Sequence, residues 1–333
     1  MPKLSVVIPV YREALGVRRN FERLKSVLDC HAGEFEYEII LVNDGSPDNS
    51  LEIMEEIHSE FPAITGLVSF VRNFGQVAAI SAGLRFCSGD CAAVISCDLQ
   101  DPPELIPQMF SHWHAGRKTV LAVRADREDS FAATLPSAIF YRLMKAYALP
   151  TLPERGFDFF LVDRVVIERM LAHPESNGFL QGQILFASGP VYEIPYTRRA
   201  RDAGESSWSL RKKLKYLLDG FAAYSFTPIR LIAACGLLLF FAGILISIGL
   251  VVQRILYGTR SAGWSSIMVT MLLLHGTEML MIGVIGEYLW RTLDQSRARP
   301  LYIVDYEKRP RNAESDPGHN GASEMIRSNA TAS

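Results

Sequence analysis

The chain has 333 residues, of which 49% are hydrophobic, and a formal net charge of -2 at neutral pH. This length suits one large domain with appendages, and the balanced charge gives no reason to expect a nucleic-acid partner. The five cysteines are odd in number and lack CxxC spacing, which favours reduced, buried thiols over a disulfide framework. A zinc site from Cys87, Cys91 and Cys97 is the less favoured alternative.

The N-terminal part of the chain alternates short apolar runs with polar segments of helical period. The apolar runs predict strands at residues 4–9, 37–42, 64–70, 91–96 and 119–123. Their hydrophobicity is continuous rather than alternating, which is typical of strands covered on both faces. We therefore predict an α/β fold with a mainly parallel sheet, and ligands beyond the carboxyl ends of its strands. No charged leader precedes the first strand, so we expect this domain in the cytoplasm.

Polar clusters follow three of the predicted strands. The first contains Pro9, Tyr11 and Glu13, and the second contains Asp44 and Ser46. No glycine-rich phosphate loop of the dinucleotide or P-loop type accompanies them. Asp44 is a natural acceptor for a base N–H or a ribose hydroxyl, but its segment is also typical of a turn, in which Ser46 would cap a helix.

The third cluster is the segment ISCDLQDPPELIP, residues 95–107. Asp101 and Glu104 have the spacing of a helix N-cap and its reciprocal acid, so a structural role is favoured for both. Asp98 lacks that explanation. Because side chains alternate along an extended chain, we expect Ser96 and Asp98 to face a ligand together.

Eight segments of the chain resemble the GT-A type glycosyltransferases of family 2, and more narrowly the polyprenyl-phosphate group that includes bactoprenol glucosyltransferases and dolichol-phosphate mannose synthases. They are VVIPVYRE (6–13), VNDGSPDNS (42–50), RNFGQVAAISAG (72–83), DLQDPPELIP (98–107), VRADRED (123–129), FDFFLVDR (157–164), RRARDAGESSWSLRK (198–212) and GEYLWRTLDQSRARPLYIV (286–304). The resemblance implies an inverting, metal-dependent transfer of a monosaccharide from a UDP- or GDP-sugar to undecaprenyl or dolichyl phosphate.

The resemblance also implies roles for single residues. Nucleotide-sugar contacts are implied for Pro9, Tyr11, Glu13, Asp44, Arg72, Gln76 and Arg201. Lipid-phosphate contacts are implied for Arg124, Arg127 and Arg198. Asp158 matches the acid beside the reacting sugar. A phosphate monoester, with a second pKa of about 6, is already largely ionised at neutral pH. We therefore predict that Asp158 orients the acceptor or stabilises positive charge at the anomeric carbon, with base catalysis as the weaker alternative.

The implied Mg²⁺ or Mn²⁺ site departs from the family pattern. Asp98 matches the second acid of the DxD motif, but Ser96 stands where the first acid is expected. One hard, negatively charged ligand is thereby lost. Because a hydroxyl can also bind Mg²⁺, we predict Asp98 as the metal ligand, with Ser96 and Asp101 as further candidates. The competing hypothesis is a non-catalytic membrane scaffold with a degenerate metal site.

The C-terminal part of the chain is predicted to meet a membrane. Residues 206–228 place lysines and an arginine around an apolar helical face, as an interfacial helix does, although packing on the domain is the alternative. Residues 229–253 and 264–290 are each long enough to cross about 30 Å of hydrocarbon. We predict a two-span protein of the inner or plasma membrane in contact with membrane lipids, with residues 1–205 and 291–333 cytoplasmic.

Two further features of this part concern assembly and order. His275 and Glu278 lie on one face of the second predicted span, and we expect them to meet a helix partner in a homo-oligomer. The far C-terminal end is rich in Asn, Ser, Gly and Ala and is predicted to be disordered.

Overall fold

The computed structural model describes residues 1–124, 142, 144–146, 149–153, 156–172, 179–197, 263–297 and 299–311, and scattered positions between 232 and 256. Its strands are β1 (Lys3–Val10), β2 (Glu36–Asn43), β3 (Thr65–Phe70), β4 (Cys91–Val94), β5 (Thr119–Arg124), β6 (Phe159–Asp163), β7 (Tyr192–Tyr196) and β8 (Val304–Lys308). Its helices are α1 (Val17–Asp29), α2 (Ser50–Glu60), α3 (Gln76–Phe86), α4 (Leu105–His114), α5 (Arg164–Ala172), α6 (Leu180–Ala187) and α7 (Trp264–Ser296).

All eight strands form one sheet in the order β7-β5-β6-β4-β1-β2-β3-β8. β1 pairs in parallel with β2 and β4, β2 with β3, and β5 with β7. β6 runs antiparallel between β4 and β5, and β8 is antiparallel to β3. The sheet is therefore mixed but mostly parallel, which confirms the predicted α/β class, and each of the five predicted strands is present.

Both faces of the sheet are buried. On β1, Val7 belongs to the apolar cluster that includes α3, whereas Val6 and Ile8 belong to the cluster that includes Phe21 and Leu24 of α1. Each face of the sheet thus has its own layer of helices. This arrangement explains why the strands have continuous rather than alternating hydrophobicity.

The C-terminal part returns to the sheet as its last strand. β8 pairs with β3, and the hydroxyl of Tyr306 donates to Glu55 Oε1 on α2 over 2.7 Å. Lys308 Nζ lies 3.3 Å from the same carboxylate oxygen. These residues were predicted to be part of a cytoplasmic tail, so this edge strand was not expected.

The predicted localisation as a two-span membrane protein is contradicted. Among the helices of the described residues, none combines the length and the apolar character that a membrane crossing requires. In α7, where the second span was predicted, His275, Glu278 and Glu287 interrupt the apolar sequence, and such side chains are costly in hydrocarbon. The predicted interfacial segment, 206–228, and all but scattered positions of the first predicted span, 229–253, lie outside the described residues.

Candidate active site

A tight turn of residues 96–101, called the acid turn below, follows β4. The Ser96 hydroxyl donates to Asp98 Oδ1 over 2.6 Å, and the Gln100 N–H donates to the same oxygen over 3.2 Å. Leu99 has a φ of 45°, a left-handed conformation that costs a leucine about 1 kcal/mol or more. Ser96 and Asp98 therefore lie together, as was predicted, but they do so in a turn and not through the alternation of side chains along an extended chain.

Asp101 closes the acid turn instead of capping a helix. Its Oδ2 lies 3.4 Å from the Ser96 hydroxyl, and its Oδ1 accepts a hydrogen bond from the Tyr196 hydroxyl at the end of β7. α4 begins only at Leu105, without a side-chain cap, and Glu104 binds Arg23 at 3.1 Å instead. Because α4 begins after Glu104, the predicted positions of Asp101 as the N-cap and of Glu104 as the third residue of the helix are wrong, and Tyr196 and Arg23 are among the partners of the two carboxylates.

Arg124 continues this network from the end of β5. Its Nη2 lies 2.6 Å from Asp158 Oδ2, and it is paired with Tyr196 across β5 and β7, so its positive charge acts on the Tyr196 hydroxyl. Burial alone would lower the pKa of Arg124, but Asp158, Tyr196 and Asp101 raise it overall, so the guanidinium stays charged. The Arg124 side chain is only 10% exposed, whereas that of Asp158 is 53% exposed. Asp158 thus presents a half-exposed carboxylate held by a buried cation.

Tyr196 lies at the centre of this network, and the pKa of its hydroxyl is strongly raised. Burial raises the pKa of its hydroxyl, and the neighbouring Asp101 raises it further, whereas Arg124 acts in the opposite direction. The phenol is therefore protonated at neutral pH, and its one proton is given to Asp101. The acid turn and Asp158 are thereby joined through Tyr196 and Arg124.

A second buried side chain reaches Asp158 from α6. Gln181 is 3% exposed, and its Nε2 donates to the Phe157 carbonyl over 2.6 Å and to Asp158 Oδ1 over 3.4 Å. The two oxygens of the Asp158 carboxylate thus contact different partners, Arg124 and Gln181.

Asp44 anchors the loop that leads into α3. Its Oδ1 accepts from the Phe74 N–H over 2.7 Å, and its Oδ2 accepts from the Gly75 N–H over 3.0 Å and from Asn73 Nδ2 over 2.9 Å. Burial raises the pKa of Asp44, although the backbone donors of Phe74 and Gly75 lower it in part. Arg72 and Gln76 are exposed on either side of this loop, and the Arg72 guanidinium lies 4.2 Å from the centroid of the Phe74 ring.

The segment after β1 packs on the segment after β2. Arg12 has a φ of 57°, and its N–H donates to the Ser46 hydroxyl over 3.3 Å. The Glu13 N–H donates to the Ser50 hydroxyl over 3.0 Å. α2 begins at Ser50, without a side-chain cap, so the predicted capping role of Ser46 is wrong, and its hydroxyl binds the Arg12 backbone instead. Tyr11 is 38% exposed at this edge of the sheet.

The predicted site residues form two groups within the described residues, and three more lie outside the described residues. The first group lies at the carboxyl ends of β1, β2 and β3, in the last residues of a strand, the following loop or the first turn of α3: Pro9, Tyr11, Glu13, Asp44, Arg72 and Gln76. Ser96, Asp98, Asp101, Arg124 and Asp158 belong to the network centred on Tyr196. Arg127, Arg198 and Arg201 lie outside the described residues.

The acid turn offers oxygen ligands but not a complete metal cage. Within the described part of the chain, no group of three or more His, Cys, Asp or Glu residues suits a metal ion. This includes Cys87, Cys91 and Cys97, which are free, buried thiols. Asp98 and Ser96 are hard oxygen donors, and Mg²⁺ is often bound by one or two carboxylates together with waters and substrate phosphates. The residues present therefore fit a cation that a substrate phosphate helps to hold.

Tyr196 and Gln181 were not identified from the sequence. Tyr196 ends β7, which is parallel to β5, so its side chain lies beside Arg124 at the carboxyl ends of these strands. This position at the end of a strand was the signal by which Tyr196 could have been found. Gln181 had no comparable signal, because it lies inside an apolar helix and meets Asp158 only in the folded chain.

Comparison with known proteins gives matches over most of the chain. The model of the family described as "Glycosyl transferase family 2" matches residues 5–171. The glycosyltransferase YkcC of Bacillus subtilis is 38% identical over 301 residues, which are 90% of this chain and 92% of YkcC. The bactoprenol glucosyl transferase of Shigella phage SfV is 34% identical over 313 residues, 92% of this chain and 99% of that protein. The mannosyltransferase PcManGT from Pyrobaculum calidifontis, solved with GDP-Man and Mn²⁺, has a TM-score of 0.49 and 16% identity over 87% of each chain.

Proposed function

This chain belongs to glycosyl transferase family 2 and is a glycosyltransferase, and we propose that it moves a monosaccharide from a nucleotide-sugar to a polyprenyl phosphate. The acceptor is supported by relatives named bactoprenol glucosyl transferase, which align over nearly their whole length. Their names also make UDP-glucose the first donor to test.

The observation that carries the proposal is the network that joins the acid turn to Asp158. Asp98 and Asp101 lie at one end of it, and Asp158 lies at the other, with Tyr196 and Arg124 between them. A transferase needs both ends at fixed positions, because the leaving diphosphate and the reacting sugar must be held in one geometry. A non-catalytic scaffold has no use for such an arrangement.

We assign a divalent cation, Mg²⁺ or Mn²⁺, to Asp98 and the Ser96 hydroxyl, with the substrate diphosphate as the remaining ligand. When bound, it would neutralise negative charge that develops on the departing diphosphate. Asp101 has a different part in this proposal. Its contact with Tyr196 fixes the acid turn on β7, so that Asp98 is held in place.

In the proposed reaction, an acceptor phosphate oxygen forms a bond to the anomeric carbon. The bond from that carbon to the diphosphate breaks, and its electron pair leaves with the nucleoside diphosphate, so the configuration inverts. Asp158 needs no proton from the acceptor, because a phosphate monoester with a second pKa of about 6 is already ionised at neutral pH. Its half-exposed carboxylate stabilises positive charge at the anomeric carbon.

Arg124 acts in this proposal chiefly by holding Asp158. Its side chain is nine-tenths buried, so a lipid phosphate would meet only its exposed edge. Arg127 and Arg198 are the remaining candidates for the acceptor phosphate. On the donor side, the loop held by Asp44 presents Arg72 and Gln76, while Pro9, Tyr11 and Glu13 line the neighbouring strand end.

The experiment that tests this function offers purified protein a panel of labelled UDP- and GDP-sugars, with undecaprenyl phosphate in detergent. Each donor is tested with Mg²⁺, with Mn²⁺ and with EDTA. We expect a labelled lipid product from at least one donor, and its loss in EDTA. Donor binding without any lipid product would instead favour the scaffold hypothesis.

A further inference from the structure

We propose that Gln181 is a positioning residue that fixes the orientation of the Asp158 carboxylate. The inference rests on the proposed function, in which Asp158 faces the reacting sugar. It adds a residue of α6, beyond the segment matched by the family model, to the machinery of the site.

The contacts of Asp158 come from two directions. Arg124 holds Oδ2 at 2.6 Å, whereas Gln181 Nε2 lies 3.4 Å from Oδ1. A single contact to Oδ2 leaves the carboxylate able to turn about the bond that joins it to the Cβ carbon. The second contact removes this freedom. At 3.4 Å this contact is long, and hydrogen bonds of this kind in active sites often shorten in the reactive complex.

The Phe157 carbonyl determines which way the Gln181 amide faces. Nε2 donates to that carbonyl over 2.6 Å, and it is also the atom nearest Asp158. The opposite orientation would point Oε1 at the Phe157 carbonyl and the Asp158 carboxylate, both of which are acceptors. Only the amide group, with two N–H donors, satisfies both neighbours at once.

The remaining atom of this side chain shows that packing alone does not explain a glutamine here. Gln181 is 3% exposed, and its buried Oε1 has no hydrogen-bond partner among the residues that the structure describes. A buried acceptor without a donor is destabilising, and an apolar residue of similar length would avoid it. Such a side chain is expected where another of its atoms makes a contact that the site needs, as Nε2 does with Asp158.

The test compares Gln181→Met with the wild-type protein and with a matched control, Gln183→Met. Methionine keeps the length of the side chain but has no N–H donors. Gln183 lies on the same helix and is partly exposed. For each protein, kcat, the KM for the donor and the midpoint of thermal unfolding are measured.

We expect the kcat of Gln181→Met to fall by about 10-fold or more, since a displacement of 1 Å in a site can cost about 100-fold. The donor KM should stay unchanged. The unfolding midpoint should change little, because removal of the unpartnered Oε1 offsets the loss of the donor to the Phe157 carbonyl. Gln183→Met should keep the wild-type kcat. A residue with only a packing role would lose kcat only as far as it loses stability, so a fall in kcat without a matching fall in the unfolding midpoint distinguishes positioning.

Wild-type kcat in Gln181→Met would overturn the inference while leaving the proposed function intact. If the wild-type protein transfers no sugar, the proposed function is wrong. A crystal structure of Gln181→Met then tests whether Gln181 orients the Asp158 carboxylate. An Asp158 carboxylate turned away from its wild-type plane would support the positioning role. An unchanged carboxylate would contradict it.

Discussion

Arg124 and Asp158 form an ion pair whose Nη2 and Oδ2 atoms are 2.6 Å apart, although the residues lie 34 positions apart in the sequence. Arg124 ends β5 and Asp158 immediately precedes β6, and these strands are antiparallel neighbours. The sheet itself therefore places a buried cation against a half-exposed carboxylate. This pairing anchors one carboxylate oxygen of Asp158, while the side chain stays 53% exposed to solvent.

The charge of Asp158 is predicted to be essential. In Asp158→Asn the amide oxygen can still accept from Arg124, so the fold should be retained, but stabilisation of positive charge is lost. We expect kcat for sugar transfer to fall by about 100-fold or more, with unchanged affinity for the nucleotide. Glu168→Gln, an exposed acid on α5, serves as the control. Equal kcat values for Asp158→Asn and Glu168→Gln would show that Asp158 has no part in the reaction.

The Tyr196 hydroxyl is predicted to stabilise the fold through Asp101. Asp101 is 1% exposed, so Tyr196→Phe leaves a buried carboxylate without one of its donors. The free energy of unfolding should fall by about 1–3 kcal/mol. Tyr192→Phe, on the same strand but only partly buried, should have a smaller effect. Urea unfolding of both variants measures the difference, and equal midpoints would count against the network.

Gly45 is predicted to tolerate no side chain. Its φ is +60°, and a Cβ atom there would lie 2.3 Å from the carbonyl carbon of Arg72. Gly45→Ala should destabilise the protein by about 3 kcal/mol or more, through a strained backbone and an overpacked loop. Gly33→Ala is the control, because a Cβ atom there meets nothing within 4 Å. Similar unfolding midpoints would show that the two loops are not packed as described.

A pH-dependent contribution to stability is predicted at Glu38. Burial alone would raise the pKa of Glu38, but Lys3, Ser88 and Ser5 more than offset this, so the pKa lies below its ordinary value of 4.5. The carboxylate therefore stabilises the fold above pH 4.5, and this contribution is lost as the pH falls through the lowered pKa. Glu38→Gln should be less stable than the wild type at pH 7.

The advantage of the wild type should shrink as the pH falls below 4.5. Unfolding midpoints of both proteins between pH 7 and pH 3 measure this difference. Glu36→Gln, an exposed change on the same strand, is the control. A difference between Glu38→Gln and the wild type that is constant over this range would contradict the assignment.

The inner strands could be predicted because their apolar runs are continuous and bounded by polar residues. β8 could not, because its residues alternate in burial and its strand forms only against the edge offered by β3. The failed caps have the same cause. Local spacing favoured Asp101 as a cap, but its actual partner, Tyr196, lies 95 positions away.

The site was predicted only in part for a related reason. Ser96 and Asp98 are two positions apart, so their contact is a local one and could be predicted, although it forms in a turn rather than in the extended segment that was expected. Arg124 was expected to face a lipid phosphate, and nothing near it in the sequence indicated its ion pair with Asp158. Contacts between distant strand ends depend on the sheet order, which the sequence alone did not provide.

The most direct test of the proposed function is formation of a polyprenyl-phosphate monosaccharide from labelled UDP-glucose and undecaprenyl phosphate with Mn²⁺, followed by mass spectrometry of the lipid. Wild-type protein and Asp98→Ala are compared, with nucleotide binding measured for both. The account predicts a product whose mass equals that of the acceptor plus one hexose, and its loss in the variant. Equal product from both proteins would contradict the cation site, and a sugar released to water instead of joined to lipid would contradict the proposed acceptor.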